Sequence, residues 1–259
     1  MIAVRKPTAA NLLRGLIFNI WMGGSALVVG AVCLPVLLVA PHLALTAVRV
    51  WCRSTLRALD VICGIRVELR GLHHLPQTGV LIAGKHLSML DTVAPFAFLD
   101  CPTIVLKREL LRVPIYGWYA RRSGMIPIDR DGAARTLRGL IKDVRQRFDE
   151  GRQVLIFPEG TRVQPGAAPD YKPGIAALYR ELDVACVPLA TNSGLHWPAH
   201  GMARYPGTVV FEVLEPIPAG LKRPVFMREL EARIEAATLA LLEADADHAA
   251  ATATVPIPS

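Results

Sequence analysis

The chain is 259 residues long, with 52% hydrophobic and 20% charged residues and a formal net charge of +7. That length fits one α/β domain plus an appendage, well above the size at which a core becomes marginal, and a mean hydropathy of +0.35 is high for a soluble enzyme and points to a membrane segment. The positive balance favours an anionic partner; nucleic acid is disfavoured by the absence of zinc spacing and helix-turn-helix signature and by only 6% aromatics, which leaves an anionic lipid surface and a phosphorylated substrate.

No charged residue lies between Arg14 and Arg49, a stretch longer than the roughly 20 residues of one membrane-spanning helix. It lacks the small-residue cleavage site of a signal peptide. Pro35 and Pro41 break it and Gly23-Gly24 loosens its first half. Arg5, Lys6 and Arg14 precede it and Arg49, Arg53 and Arg57 follow it, so the positive-inside tendency pulls both ends to the cytoplasmic side. This predicts a membrane-embedded helical hairpin over residues 1–60 that dips into one leaflet or crosses twice; a single span leaves one basic flank on the wrong side.

A globular domain is expected over residues 61–245. Residues 65–69 alternate apolar and charged, as an edge strand does. The run 79–84 reads as a buried strand, followed by a helix over about 91–99. Strands follow at 103–106 and at 125–128, where Pro127 argues for an edge or irregular strand. Leu137, Leu140, Ile141, Val144 and Phe148 recur at helical spacing, giving an amphipathic helix over 133–149. Further strands are read at 154–157, 184–189 and 208–213, and helices at 174–182 and 224–243. The Ala-rich residues 246–259 read as a disordered tail, and no internal repeat is present.

Five scattered cysteines, Cys33, Cys52, Cys63, Cys101 and Cys186, form no C-x-x-C pair and read as small apolar residues in a reducing compartment. No metal-ligand cluster stands out; the adjacent His73 and His74 suit a surface loop.

The stretch with most chemistry is His86-Leu87-Ser88-Met89-Leu90-Asp91, just past the strand at 79–84. Strand C-terminal ends are where open α/β sheets keep their sites. Residues five apart on a continuous helix are about 140° out of phase. His86 therefore belongs in a turn and Asp91 near a helix start, where Asp is a good cap. An imidazole oriented by a carboxylate is a better base, suited to removing a proton from an alcohol. Three more strands deliver Lys107, Arg130 and the Glu159-Gly160-Thr161-Arg162 group. If these strands are parallel, the residues gather into a cationic pocket beside the base, fit for a phosphomonoester. Glu159 is read as holding Arg162 or a glycerol hydroxyl, Gly160 as allowing close backbone approach and Thr161 as a hydroxyl donor. Ser88 lacks the G-x-S-x-G surroundings of a nucleophile.

At these residues the sequence resembles the 1-acylglycerol-3-phosphate O-acyltransferases of the glycerolipid acyltransferase family, over roughly residues 60–215. His86 to Asp91 resembles the family's H-x-x-x-x-D block, Gly124-Met125-Ile126-Pro127-Ile128-Asp129-Arg130 the second, preceded by Lys107-Arg108-Glu109-Leu110, Phe157-Pro158-Glu159-Gly160-Thr161-Arg162 the third and Val187-Pro188-Leu189 the fourth. The resemblance implies an α/β fold with a mixed, mainly parallel sheet flanked by helices, and a two-helix N-terminal anchor. It implies that His86, oriented by Asp91, deprotonates the sn-2 hydroxyl of lysophosphatidic acid, which attacks the thioester of acyl-CoA or acyl carrier protein to give phosphatidic acid. Arg130, Glu159, Gly160 and Arg162 would bind the phosphate end, supported by Lys107. No cofactor is expected beyond the thioester co-substrate, and the expected setting is the cytoplasmic face of the inner membrane, among membrane lipids. Two departures stand out: Lys85 where the family often has Asn, and Leu90 where an aromatic often precedes the Asp. Three other readings remain open: a lyso-aminolipid acceptor such as lyso-ornithine lipid, a non-catalytic anionic-lipid binder, and a hydrolase.

Overall fold

The computed structural model describes residues 6–76, 79–129 and 133–253. Helix α1 (Ala9–Val39) starts at Thr8, whose side chain accepts a hydrogen bond from Asn11 N, and it carries Pro35 without breaking. After a 3₁₀ turn (Pro41–Leu43), α2 (Ala44–Cys63) returns alongside it and stops at Gly64, whose φ of +65° closes the helix in the left-handed region. Trp51 Nε1 donates to Ser25 Oγ at 3.1 Å and Cys63 Sγ to the Arg14 carbonyl at 3.7 Å, so the two helices run antiparallel. The hairpin thus exists, but its arms differ. Among the described residues only the α1 segment Ala9–Val36 is long and apolar enough to cross a membrane, and 11% of that segment is buried. The arm carrying Arg49, Arg53 and Arg57 buries Cys52, Leu59 and Cys63 in the same core as the sheet, so α2 continues to Cys63 as part of the domain.

The domain proper continues with β1 (Ile65–Arg70), β2 (Val80–Gly84), α3 (Pro95–Phe98), β3 (Pro102–Lys107), α4 (Tyr116–Arg122), β4 (Ile126–Ile128), α5 (Ala133–Asp149), β5 (Gln153–Ile156), α6 (Gly174–Leu182), β6 (Cys186–Thr191), α7 (Ser193–His196), β7 (Gly207–Val213) and α8 (Arg223–Ala253). The strands form one seven-stranded sheet in the order β1-β7-β6-β2-β5-β3-β4. Neighbours are parallel except β6 and β7. β1 and β4 occupy the edges, as the alternating pattern of one and the Pro127 of the other require. The helix expected over 91–99 is a 3₁₀ turn (Met89–Thr92) followed by the four residues of α3, with Pro95 at the first position of the second piece. The Ala-rich stretch expected to be disordered after residue 245 is helical as far as Ala253, in keeping with the high helix propensity of Ala; residues 254–259 lie outside the described residues.

The central strands are buried on both faces, which is why they read as unbroken apolar runs. Alternation decides which core each side chain joins. Val80 and Ile82 of β2 and Leu155 of β5 pack with Leu59 and Phe96 on one face. Leu81, Ala83, Val154 and Ile156 pack with Val144, Leu178, Phe226 and Leu230 of α5, α6 and α8 on the other. Four parallel strands in the order β2-β5-β3-β4 therefore end along one edge, and the chain leaves each of them with chemically active residues. The five cysteines are free thiols, with Cys52, Cys63 and Cys186 buried.

Candidate active site

After Gly84 the backbone makes one more sheet contact, Lys85 N to the Leu189 carbonyl at 2.9 Å, and then turns. Ser88, not Asp91, caps the 3₁₀ turn that follows: its hydroxyl accepts from Leu90 N at 3.0 Å. Asp91 occupies the third position of the turn and reaches back, its Oδ2 accepting from Ser88 N at 2.8 Å and Leu87 N at 2.7 Å in a capping box. This geometry brings the same Oδ2 to 3.1 Å from His86 Nδ1, so the turn expected between the two residues is present and joins them. Ser193 Oγ, at the start of α7, donates to Asp91 Oδ1 at 2.5 Å. The carboxylate is thus buried with donors on both oxygens, and a carboxylate acceptor makes Nδ1 the protonated ring nitrogen and leaves Nε2 with the lone pair. The imidazole stacks on Phe157, with ring centroids 4.1 Å apart and planes at 19°.

The loop after β5 closes over this turn. Val163 N donates to the His86 carbonyl at 2.9 Å and Gly160 N to the Phe157 carbonyl at 3.0 Å. Gly160 has a φ of +68°, a conformation that costs other residues strain. Glu159 does not reach for Arg162. It is buried, its Oε1 lying 3.3 Å from Lys85 Nζ and 3.4 Å from His86 N. Burial pushes its carboxyl above the usual range, with Lys85 pulling it back.

A cavity of about 1450 Å³ joins these residues. Its polar lining includes His86, Lys107, Glu159, Gly160, Thr161 and Arg162. Its long apolar wall includes Leu27 and Gly30 of α1, Val48 and Trp51 of α2, and Ile115 and Tyr119. Lys107 is half-exposed with Glu109 Oε2 at 3.8 Å, while Thr161 and Arg162 are exposed at the rim. Arg130 lies outside the described residues; its neighbour Asp129 lines the cavity. Among the described residues no group of three or more His, Cys, Asp or Glu side chains is placed to hold a metal ion.

Sequence reading missed Ser193, Glu235 and the participation of the N-terminal helices in the cavity wall. For Ser193 a weak signal existed: Gly194 follows it, and a Cβ there would come 2.9 Å from Leu87 Cβ, so the glycine permits α7 to press against the His86 turn. Glu235 sits 150 residues from Lys85, its contact, and nothing local marks it.

The strand-end imidazole–carboxylate pair opens on a largely apolar cavity, and a family model described as Acyltransferase matches residues 66–192, which contain that pair and place the chain among the acyltransferases. The chain is 34% identical over 234 residues to a 1-acyl-sn-glycerol-3-phosphate acyltransferase of Pseudomonas aeruginosa, covering 88% of this chain and 90% of that one. It is 30% identical over 158 residues to 1-acyl-sn-glycerol-3-phosphate acyltransferase alpha of Mus musculus, covering 60% and 55% of the two chains. The crystal structure of the 1-acyl-sn-glycerophosphate acyltransferase PlsC from Thermotoga maritima shares the fold, with a TM-score of 0.67 at 20% identity over 89% of this chain and 97% of that one. This chain belongs to the 1-acyl-sn-glycerol-3-phosphate acyltransferase family.

Proposed function

We propose that the protein transfers an acyl chain from acyl-CoA or acyl carrier protein to the sn-2 hydroxyl of 1-acyl-sn-glycerol-3-phosphate, giving phosphatidic acid. His86 Nε2 takes the hydroxyl proton while Asp91 holds the ring and stabilises the imidazolium. The alkoxide oxygen bonds to the thioester carbonyl carbon, the C–S bond breaks, and the departing thiolate takes the proton from Nε2. No acyl-enzyme is needed, since the Ser88 hydroxyl is fully buried and engaged as a cap. Lys107 and Arg162 carry the phosphate, with the Gly160 backbone and the Thr161 hydroxyl beside it; Arg130, three residues after Pro127 of β4, joins them in this reading. The apolar wall receives an acyl chain.

The observation that carries this reading is that the oriented imidazole and the cationic side chains open on the same cavity that Leu27 and Gly30 line from α1, an apolar helix left mostly uncovered by the protein. A lipid's head and tail need such a pairing. We further infer attachment to the inner membrane with the site on its cytoplasmic face, in keeping with Arg49, Arg53 and Arg57 after the apolar arm.

The test uses full-length protein in detergent with labelled palmitoyl-CoA and, in parallel, lysophosphatidic acid and lyso-ornithine lipid. Labelled phosphatidic acid from wild type and a loss of at least about 10²-fold in His86→Ala support the reading. A fully active His86→Ala enzyme, label appearing only as free fatty acid, or labelling of the aminolipid alone overturns it.

A further inference from the structure

Lys85 is buried, its side chain 3% exposed beside a Glu159 side chain that is 1% exposed. Its ammonium serves two carboxylates: Glu159 Oε1 at 3.3 Å and Glu235 Oε1 at 2.5 Å, the latter on α8. Glu235 Oε1 also accepts from Tyr171 OH at 2.9 Å, and Lys85 Nζ lies over the Tyr171 ring, 5.9 Å from its centroid. Glu159 lines the cavity, and its Oε2 is buried with no hydrogen-bond partner. A buried ion network of this kind is a poor way to gain stability, because desolvation consumes most of the attraction and apolar side chains of the same volume serve as well or better. Its position suggests another use. Lys85 immediately precedes the base, and Glu159 Oε1 meets both Lys85 Nζ and His86 N.

We propose that Lys85 and Glu235 are positioning residues for the transfer: acting through Glu159, they fix the floor of the acceptor subsite next to His86 and tie it to the C-terminal helix α8. This rests on the reading of the cavity's polar lining as the acceptor subsite. With Lys85 in place, the Glu159 carboxylate is held in one orientation, its Oε1 shared between Lys85 Nζ and His86 N. Without it, the buried Glu159 carboxylate and the partly buried Glu235 carboxylate have no cation between them. Glu235 divides the cation's charge, so the two residues act on Glu159 in opposite electrostatic senses. Glu159 is faced by Lys85 and the His86 backbone past β2 and by Tyr171 ahead of α6, and Tyr171 in turn is faced by Glu235 and Glu231 on α8.

The experiment measures kcat and KM for lysophosphatidic acid against pH, with palmitoyl-CoA as donor, for full-length Lys85→Asn, Lys85→Arg, Glu235→Gln and the double Lys85→Asn/Glu235→Gln. Removing the cation leaves the upward push of burial on Glu159 unopposed, so Lys85→Asn moves the acid limb of kcat/KM to higher pH and raises KM more than it lowers kcat. Glu235→Gln, which leaves the cation wholly to Glu159, moves that limb to lower pH. The double variant recovers about tenfold in kcat/KM over Lys85→Asn, the size of coupling that contacting charged groups show, and Lys85→Arg restores most of the activity. Strictly additive losses in the double, or a Glu235→Gln enzyme whose acid limb does not move, overturn the proposal. Glu235 is only partly buried, so its variant decides the matter even where Lys85→Asn fails to fold. An inactive His86→Ala enzyme with an additive Lys85/Glu235 cycle refutes this inference alone, whereas an active one refutes the reading beneath it.

Discussion

Two helices of 31 residues each, α1 and α8, flank the molecule and solve opposite problems. α8 carries charges through most of its first half, yet its Phe226, Leu230 and Ile234 are buried in the core beneath the sheet and its Leu242 is buried too, Phe226 stacked on Tyr179 of α6 with ring centroids 3.8 Å apart. α1 has Arg14 as its one charged residue, yet Leu27, Val28, Val32 and Val36 are exposed. The protein itself satisfies the apolar stripe of α8. It leaves that of α1 bare, and an uncovered apolar surface of this extent marks a contact with something apolar. Leu27 and Gly30 of α1 line the cavity directly, whereas α8 reaches one of its lining residues, Glu159, only through the Lys85 ammonium that Glu159 and Glu235 share.

The contrast breaks most readily at stability. Phe226→Ala is expected to cost on the order of 3–5 kcal/mol, read from denaturant midpoints in detergent, while Leu27→Ala stays within about 0.5 kcal/mol of wild type. Equal losses would make α1 an ordinary core helix. Next in size is partitioning. Val32→Asp should weaken binding to anionic vesicles by roughly 2.5–3.5 kcal/mol, about a hundredfold or more, with little change in the midpoint of unfolding; unchanged flotation with the vesicles would show that this part of α1 does not enter the hydrocarbon.

The same contrast explains what the sequence let a reader see. Val80 to Gly84 and Val154 to Ile156 are apolar without interruption because both faces are covered, and the helix read at 174–182 is α6. His86 and Asp91 were legible because their meeting depends on one local turn. Long-range pairings were not: β6 lies between β2 and β7, Ser193 meets Asp91 across 102 residues, and Glu159 turns to Lys85 instead of Arg162. Periodicity reports which face of an element is buried, not which neighbour buries it. Hence the strand ends were readable and their cross-links were not. The seven residues of α4 are too short for any period to show, and the apolar arm of α1 gave no hint that Gly30 would meet Ile115.

That meeting supplies a third, smaller effect. A Cβ added to Gly30 would lie 2.5 Å from Ile115 Cγ2, and Ile115 is already held at a φ of +63°, where a β-branched residue is strained. Ile115 has little room to yield, since Tyr119 OH, one turn further on, donates to the Gly30 carbonyl at 3.1 Å. Gly30→Ala should therefore cost about 1–3 kcal/mol by overpacking and narrow the cavity where the two residues line it. In competition between thioesters of different length, the variant should favour shorter chains; an unchanged product distribution would mean that the chain does not pass this point.

The smallest effect belongs to Glu159 and separates stability from function in the polar lining of the same cavity. Burial raises its carboxyl pKa in the folded protein. A group so raised contributes stability that is fully present below the unfolded carboxylate's pKa and is lost as pH rises through the folded value. Glu159→Gln cannot ionise and escapes that loss, so plotted against pH its stability relative to wild type should climb across the window just above the ordinary Glu range and then level off. The slope is bounded by one proton, about 1.4 kcal/mol per pH unit, and Lys85, by favouring the carboxylate, keeps the climb short. Activity should move the other way, because an amide offers Lys85 no charge and the subsite loses its fixed carboxylate. A variant that is more stable at neutral pH and slower in transfer would show an acid retained for the site at the expense of the fold; a flat difference across that window would mean that Lys85 neutralises the burial in full.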